Sequence, residues 1–271
     1  MVRKPEITVE KARSASQDEL RLLLWEHNED VLFALLENPL FDENLLYRLL
    51  QRKDLPGVLL ERVARDREWL RAYRIKLSVA RHPRTPRLVA IPLVRQLYLF
   101  DLANLTLQPS VPAELKRLAE DQIISRLPQL PLGQKFALAR RGSARVAAAL
   151  LGEGVMQVVP LALDNPFLTE SQVLKVLAQE NLPPIVAAGV AEHRKWSYLY
   201  NVRMALIRQP LTPLGRVLAF LPDLTLRDLE DLATVKTLSE SLREYIRQQI
   251  ATRARRGRIE DSADTKQPAR D

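Results

Sequence analysis

The feature that most constrains this chain is self-similarity at a fixed offset of 127 residues, carried by Leu36-Glu37-Asn38-Pro39 and its recurrence as Leu163-Asp164-Asn165-Pro166. Held without a gap, the same offset matches Leu55-Pro56 to Leu182-Pro183, Trp69 to Trp196 and Tyr73 to Tyr200. It also matches Pro83, Thr85 and Pro86 to Pro210, Thr212 and Pro213, and Asp101-Leu102 to Asp228-Leu229. Upstream, Ala12-Arg13 matches Ala139-Arg140 and Leu23-Leu24 matches Leu150-Leu151. About one aligned position in four is identical, which points to tandem duplication of one block. The copies are read as residues 1–127 and 128–252, followed by a basic and polar tail at 253–271 that is expected to be disordered.

A shorter period is nested inside each copy. The turn at Pro39 returns at Pro83 and the turn at Pro166 returns at Pro210, so about three units of roughly 42 residues fill one copy. In Glu43-Asn44-Leu45-Leu46-Tyr47-Arg48-Leu49-Leu50 the apolar positions return at helical spacing. The turns carry stop and start signals for helices. Asn38 is expected to close one helix before Pro39, Asp42 and Thr169 to cap the next, and Thr85 and Thr212 to place a capping hydroxyl before a proline. Only 8 glycines against 18 prolines suit short helices better than tight hairpins, and no run shows sustained strand alternation.

These Asn-Pro turns, Leu-rich helix pairs and the unit length resemble the HEAT-like helical-repeat family, including bacterial forms related to armadillo and leucine-rich-repeat-variant proteins. The resemblance implies an all-α, right-handed solenoid of about six helix-pair units, stacked because one pair cannot bury its apolar face alone. It implies extended binding surfaces more than chemistry. With no cysteine in the chain, the variant group that carries a cysteine-bound iron–sulfur cluster is not matched.

Composition narrows the function classes. Hydrophobic residues at 46% and charged residues at 27% read as a folded chain. The absence of cysteine removes disulfides and thiolate chemistry and fits a reducing cytoplasm. Met1-Val2-Arg3-Lys4-Pro5-Glu6 leads into no signal-peptide core, and no apolar run approaches the roughly 20 residues of a membrane span. His27, His82 and His193 are isolated, so neither metal nor cofactor is expected. No phosphate loop or nucleophile elbow is present. HEAT-like alkylpurine DNA glycosylases perform chemistry on a similar architecture, but no motif here carries that activity over.

Residues kept in both copies are read as scaffold, and residues that differ as the place for function. Trp69, Tyr73, Leu77 and Ala80, matched by Trp196, Tyr200, Met204 and Ile207, are therefore assigned to the core. Lys76 and Arg203 interrupt that apolar face and are expected to pair with Asp101 and Asp228. On the opposite face of what reads as one helix, Arg67, Arg71, Arg74 and Arg81 follow a single stripe, extended by Arg84 and Arg87. The second copy keeps Arg194 and Arg208 but has Tyr198 and Asn201 at the Arg71 and Arg74 positions. With a formal charge of +8, this stripe suits an acidic partner. The reading is a noncatalytic scaffold for a protein partner, with nucleic-acid binding through the arginines as the alternative and a base-acting enzyme third.

Overall fold

The computed structural model describes residues 9–264, with side chains described through 255. The sequence readings of residues 1–6 and of the end of the tail lie outside the described residues. Every regular element among the described residues is helical. The chain divides into two compact units, the first ending at Leu130 and the second beginning at Pro131.

The first unit contains α1 (Val9–Arg13), α2 (Gln17–Leu23), α3 (Glu29–Glu37), α4 (Glu43–Leu49), α5 (Gly57–Arg65), α6 (Arg67–Arg71), α7 (Tyr73–Arg81), α8 (Arg87–Arg95), α9 (Leu99–Leu107) and α10 (Ala113–Arg126). The second contains α11 (Leu132–Arg141), α12 (Ala144–Gly152), α13 (Val159–Leu163), α14 (Glu170–Leu177), α15 (Pro184–Glu192), α16 (Tyr200–Arg208), α17 (Leu214–Phe220), α18 (Leu226–Thr234) and α19 (Glu240–Asp264). Helices α2, α4, α5, α7, α8, α9 and α10 each begin 127 residues before α12, α14, α15, α16, α17, α18 and α19. Each unit is internally layered: α4 packs on α7 and α9 on α10 in the first, α14 on α16 and α18 on α19 in the second. The cores are leucine-rich, with Leu46, Leu49, Leu59 and Leu60 fully buried in one and Leu150, Val173, Val186 and Leu206 in the other.

Polar clasps hold these short helices, and most occur twice. Asn38 is buried, and its amide donates to the carbonyls of Ala12 at 2.9 Å and Ala15 at 3.1 Å. Its oxygen accepts from the Leu40 amide at 2.8 Å. Asn165 repeats the arrangement with Ala139 at 2.7 Å, Gly142 at 3.1 Å and Phe167 at 2.8 Å. Two donors and one acceptor on a short side chain satisfy the last carbonyls of one helix and the amide of the next turn together. Asn38 thus does more than end α3; it ties α3 back to α1.

The threonines reverse the sequence expectation. Pro86 and Pro213 occupy the N-cap positions of α8 and α17. The Thr85 and Thr212 hydroxyls instead donate backwards to Val79 and Leu206, both at 2.6 Å, and close the ends of α7 and α16. One residue too early to reach the next helix's free amides, each hydroxyl serves the preceding helix's free carbonyls. Asp42 does cap α4 through the Leu45 amide at 2.8 Å. Thr169 stands at the N-cap of α14 without a capping bond and meets the Ser171 hydroxyl at 3.2 Å.

Arg253 was expected to open a tail. It lies within α19, and its guanidinium donates to Leu224 at 2.6 Å, Leu221 at 2.9 Å and Pro222 at 2.8 Å. Arg126 reaches Leu97 in the same manner at 3.5 Å. Gly154 is the one described residue at positive φ, +67°, and a side chain there would strike the Pro183 ring.

Asn165→Ala is expected to lower the free energy of unfolding by about 3 kcal/mol, because two buried carbonyls lose their donors. Asn165→Asp should cost at least as much, since it sets a carboxylate against those carbonyls. Urea denaturation followed by circular dichroism measures both; a loss under about 1 kcal/mol would mean the clasp is dispensable.

Candidate functional site

The arginine stripe depends on one continuous helix, and the backbone is not continuous there. Ala72 is extended, with φ −73° and ψ 112°, and both ends α6 and begins α7. Its carbonyl accepts from the Ile75 and Lys76 amides, so a new helix starts at that point. Arg67 and Arg71 therefore ride on α6, whereas Arg74 and Arg81 ride on α7, and no single face carries all four.

Intrachain partners divide them further. Arg71 pairs with Glu68 at 2.9 Å on an exposed turn. Arg74 pairs with Glu43, donates to Asn44 at 2.9 Å and lies over the Tyr47 ring at 5.4 Å. Arg84 donates to the Asp54 carbonyl at 2.8 Å, Arg87 pairs with Glu114, and Arg67 is exposed on α6. In the second unit Asn201 donates to Glu170 at 2.9 Å, the position matching Glu43. The Arg74–Glu43 contact is thus a scaffold bridge that both units keep. Tyr198 is exposed beneath Arg203 at 5.7 Å, Arg194 lies exposed in the turn before it, and Arg208 is exposed at the end of α16.

The expected Lys76–Asp101 and Arg203–Asp228 pairs do not form. Asp101 accepts from the Tyr73 hydroxyl at 2.6 Å, and that oxygen accepts the Tyr98 amide at 2.9 Å. Asp228 accepts from Tyr200, whose oxygen accepts the Thr225 amide at 3.2 Å. The rigid phenol one turn before the cation reaches past the following helix to the N-terminus of α9 or α18 and serves two groups there. Arg203 turns instead to Asp223 and the Ser197 carbonyl; the residue matching Asp223 in the first unit is the uncharged Gln96. Burial and the Asp101 contact push the Tyr73 phenol up to about 12, so it remains a donor.

What the first unit does assemble is a cationic groove. A cavity of about 280 Å³ is walled by Tyr47, Arg52, Lys53, Arg74, Ser78 and Arg81 among others, with no carboxylate in its lining. A second cavity of about 290 Å³, walled by Arg21, Leu24, Trp25, Arg48, Gln51 and Arg52, shares the last two residues with the first cavity. Arg52 is the buried wall between them. Its Nη1 donates to Leu24 at 2.5 Å and Glu26 at 2.7 Å, and its other edge grips Asp54 at 2.7 and 3.1 Å. That grip holds the Asp54 carboxyl at about 2. Arg81 has a neutral partner: with its amide oxygen turned toward the guanidinium, Gln108 accepts from Nε at 2.9 Å.

The stripe contributes Arg74 and Arg81 to this groove. Arg21, Trp25, Arg48, Arg52 and Lys53 were missed because they come from α2, α4 and the loops after them, far from α7 in sequence. The 127-residue comparison holds their signal, since Arg21, Trp25, Arg52, Lys53 and Arg74 stand opposite Ala148, Gly152, Gln179, Glu180 and Asn201.

No family model, curated protein or solved structure matches the chain. The groove's own chemistry is that of anion binding: guanidinium and ammonium groups beside aromatic rings. Among the described residues no group of three or more His, Asp and Glu side chains is placed to hold a metal. No helix among them is long and apolar enough to cross a membrane.

His82, also in the lining, is buried; Nδ1 accepts the Arg84 amide at 3.2 Å and Nε2 faces the Arg52 carbonyl at 2.6 Å. Accepting at Nδ1 makes Nε2 the protonated nitrogen of a neutral ring. Burial pushes its pKa below the ordinary 6.5. A depressed folded pKa contributes stability that is full above 6.5 and is lost as pH falls below it, because the unfolded chain binds the proton first. His82→Gln, which installs the residue of the matching position, where Gln209 donates to Leu177 at 2.9 Å, is expected to flatten the stability profile between about pH 7 and 5. Thermal melts across that range check it; equal slopes for both proteins would refute the assignment. Arg74→Asn, again copying the second unit, should shift stability by less than about 1 kcal/mol in the same melts, as for a half-exposed bridge.

Proposed function

We propose that the chain is a noncatalytic HEAT-like repeat scaffold, a right-handed solenoid of about six helix-pair units, that binds an acidic partner protein in the cytoplasm. The observation that carries the reading is the groove of the first unit, where cations and aromatic rings line contiguous cavities without a carboxylate. The scaffold half of the reading rests on the recurrence of seven helix starts and of the Asn, Thr and Tyr clasps at one offset.

Two features favour a protein over a nucleic acid. Arg71, Arg74 and Arg87 are each matched by a carboxylate of the same unit, which reduces the charge free to displace counterions from a phosphate backbone. The second cavity's wall is also mixed: Leu24 and Trp25, the latter 71% exposed just after α2, stand beside Arg21 and Arg48, a combination suited to a peptide that brings apolar and acidic side chains. Nucleic-acid binding remains the alternative, favoured by the exposed Arg48 and Lys53 beside Trp25 and Tyr47.

Purified protein titrated with a labelled glutamate-rich peptide, single-stranded RNA and duplex DNA across a salt series separates the two. The peptide is expected to bind, and Lys53→Glu with Arg81→Glu to weaken it by about tenfold or more. Arg67→Glu with Arg71→Glu should change it by less than about twofold, as for rim charges. Tighter binding of RNA or DNA than of peptide at about 0.15 M salt would replace the protein reading with the nucleic-acid one.

A further inference from the structure

We propose that the 280 Å³ cavity of the first unit is a phosphomonoester pocket that takes a phosphorylated side chain of the partner, with Lys53 and Arg81 as the groups that hold its charge. This rests on the reading of the groove as a protein-binding surface and names what that surface recognises.

The charge of the wall selects the ligand. Four cations line the cavity: Arg52, Lys53, Arg74 and Arg81. Arg52 is matched by Asp54 and spends Nη1 on two carbonyls, so it is a fixed part of the fold. Arg74 is matched by Glu43 and covered on one side by the Tyr47 ring. His82 is neutral, with both ring nitrogens engaged by backbone. Two positive charges are left, Lys53 and Arg81. Both side chains are exposed, and the hydrogen-bonding partner of Arg81 is an uncharged amide.

A phosphomonoester near pH 7 carries about −1.5 to −2 and three acceptor oxygens, and it matches that pair. A carboxylate or a phosphodiester brings one negative charge and leaves a cation uncompensated. Guanidinium adds a planar fork for two phosphate oxygens, while the ammonium acts as a point charge on the third. The neighbouring cavity, with Trp25 and Leu24 in its wall, takes an adjacent apolar side chain of the same peptide. The second unit is a built-in comparison. Glu180 and Arg208 stand at the Lys53 and Arg81 positions, so the charge there cancels.

The test uses the whole chain at about 0.15 M salt, with binding followed by calorimetry and by the NMR signals of the arginine side chains. The probes are a capped Gly-phosphoserine-Gly peptide, its glutamate and serine analogues, inorganic phosphate, and the dinucleotide TpT as a diester without a terminal phosphate. Saturable binding of the phosphoserine peptide is expected, about tenfold or more tighter than the glutamate peptide or TpT, the difference one charge-assisted contact makes. Inorganic phosphate should compete. Lys53→Ala and Arg81→Ala should each weaken the phosphopeptide by about tenfold with unchanged melting temperatures, and Arg208→Ala should leave it unchanged. Equal affinity for the glutamate peptide or TpT, or an unchanged affinity in both groove variants, would overturn the pocket. If the longer glutamate-rich peptide binds the groove while phosphoserine adds nothing, the phosphate assignment fails alone. If neither peptide binds, the protein-binding reading fails with it.

Discussion

Helices of five to ten residues are too short to persist by themselves in water, and this protein uses them nearly throughout. The buried asparagines make that possible. Asn38 and Asn165 each collect two carbonyls from the end of one helix and return an acceptor to the turn after another. Without such a residue, burying these helix ends would strand carbonyls away from water. The leucine core supplies the driving force, but the clasp decides where a helix can end inside the core. The Thr85 and Thr212 hydroxyls, and the guanidinium of Arg253, solve the same problem at other ends.

The offset of 127 residues made much of this architecture legible from sequence. Residues identical across the offset, such as Asn38 and Asn165 or Tyr73 and Tyr200, make the same bonds in both units. What escaped is backbone direction. The periodicity from Trp69 to Arg81 runs unbroken, yet Ala72 is extended and the helix restarts there. Side-chain spacing cannot register a single extended residue that ends one helix and begins the next. The threonines differ for a related reason: a hydroxyl between two helices can serve either one, and here the turn aims it at the carbonyls of the preceding helix.

The site was half legible. Arg74 and Arg81 were visible as part of a stripe, while Arg52, Lys53 and Trp25 were not, because a groove draws its walls from elements separated in sequence. Formal charge also misleads when taken along one helix. Arg71, Arg74 and Arg87 belong to one basic stripe in sequence and are balanced by Glu68, Glu43 and Glu114 in the fold. Lys53, which shares the groove's uncompensated charge with Arg81, looks unremarkable in sequence.

The end of the chain acquires a different meaning from Arg253. A piece stopping at Thr252 would keep nearly the whole second copy of the period, yet lose the donor for the carbonyls of Leu221, Pro222 and Leu224. The turn before α18 would be left open on the side facing α19. The repeat therefore carries its own stopper, one side chain past the point where the pattern looks finished. A proteolytic cut just before that arginine would do more harm than the loss of a few surface charges suggests.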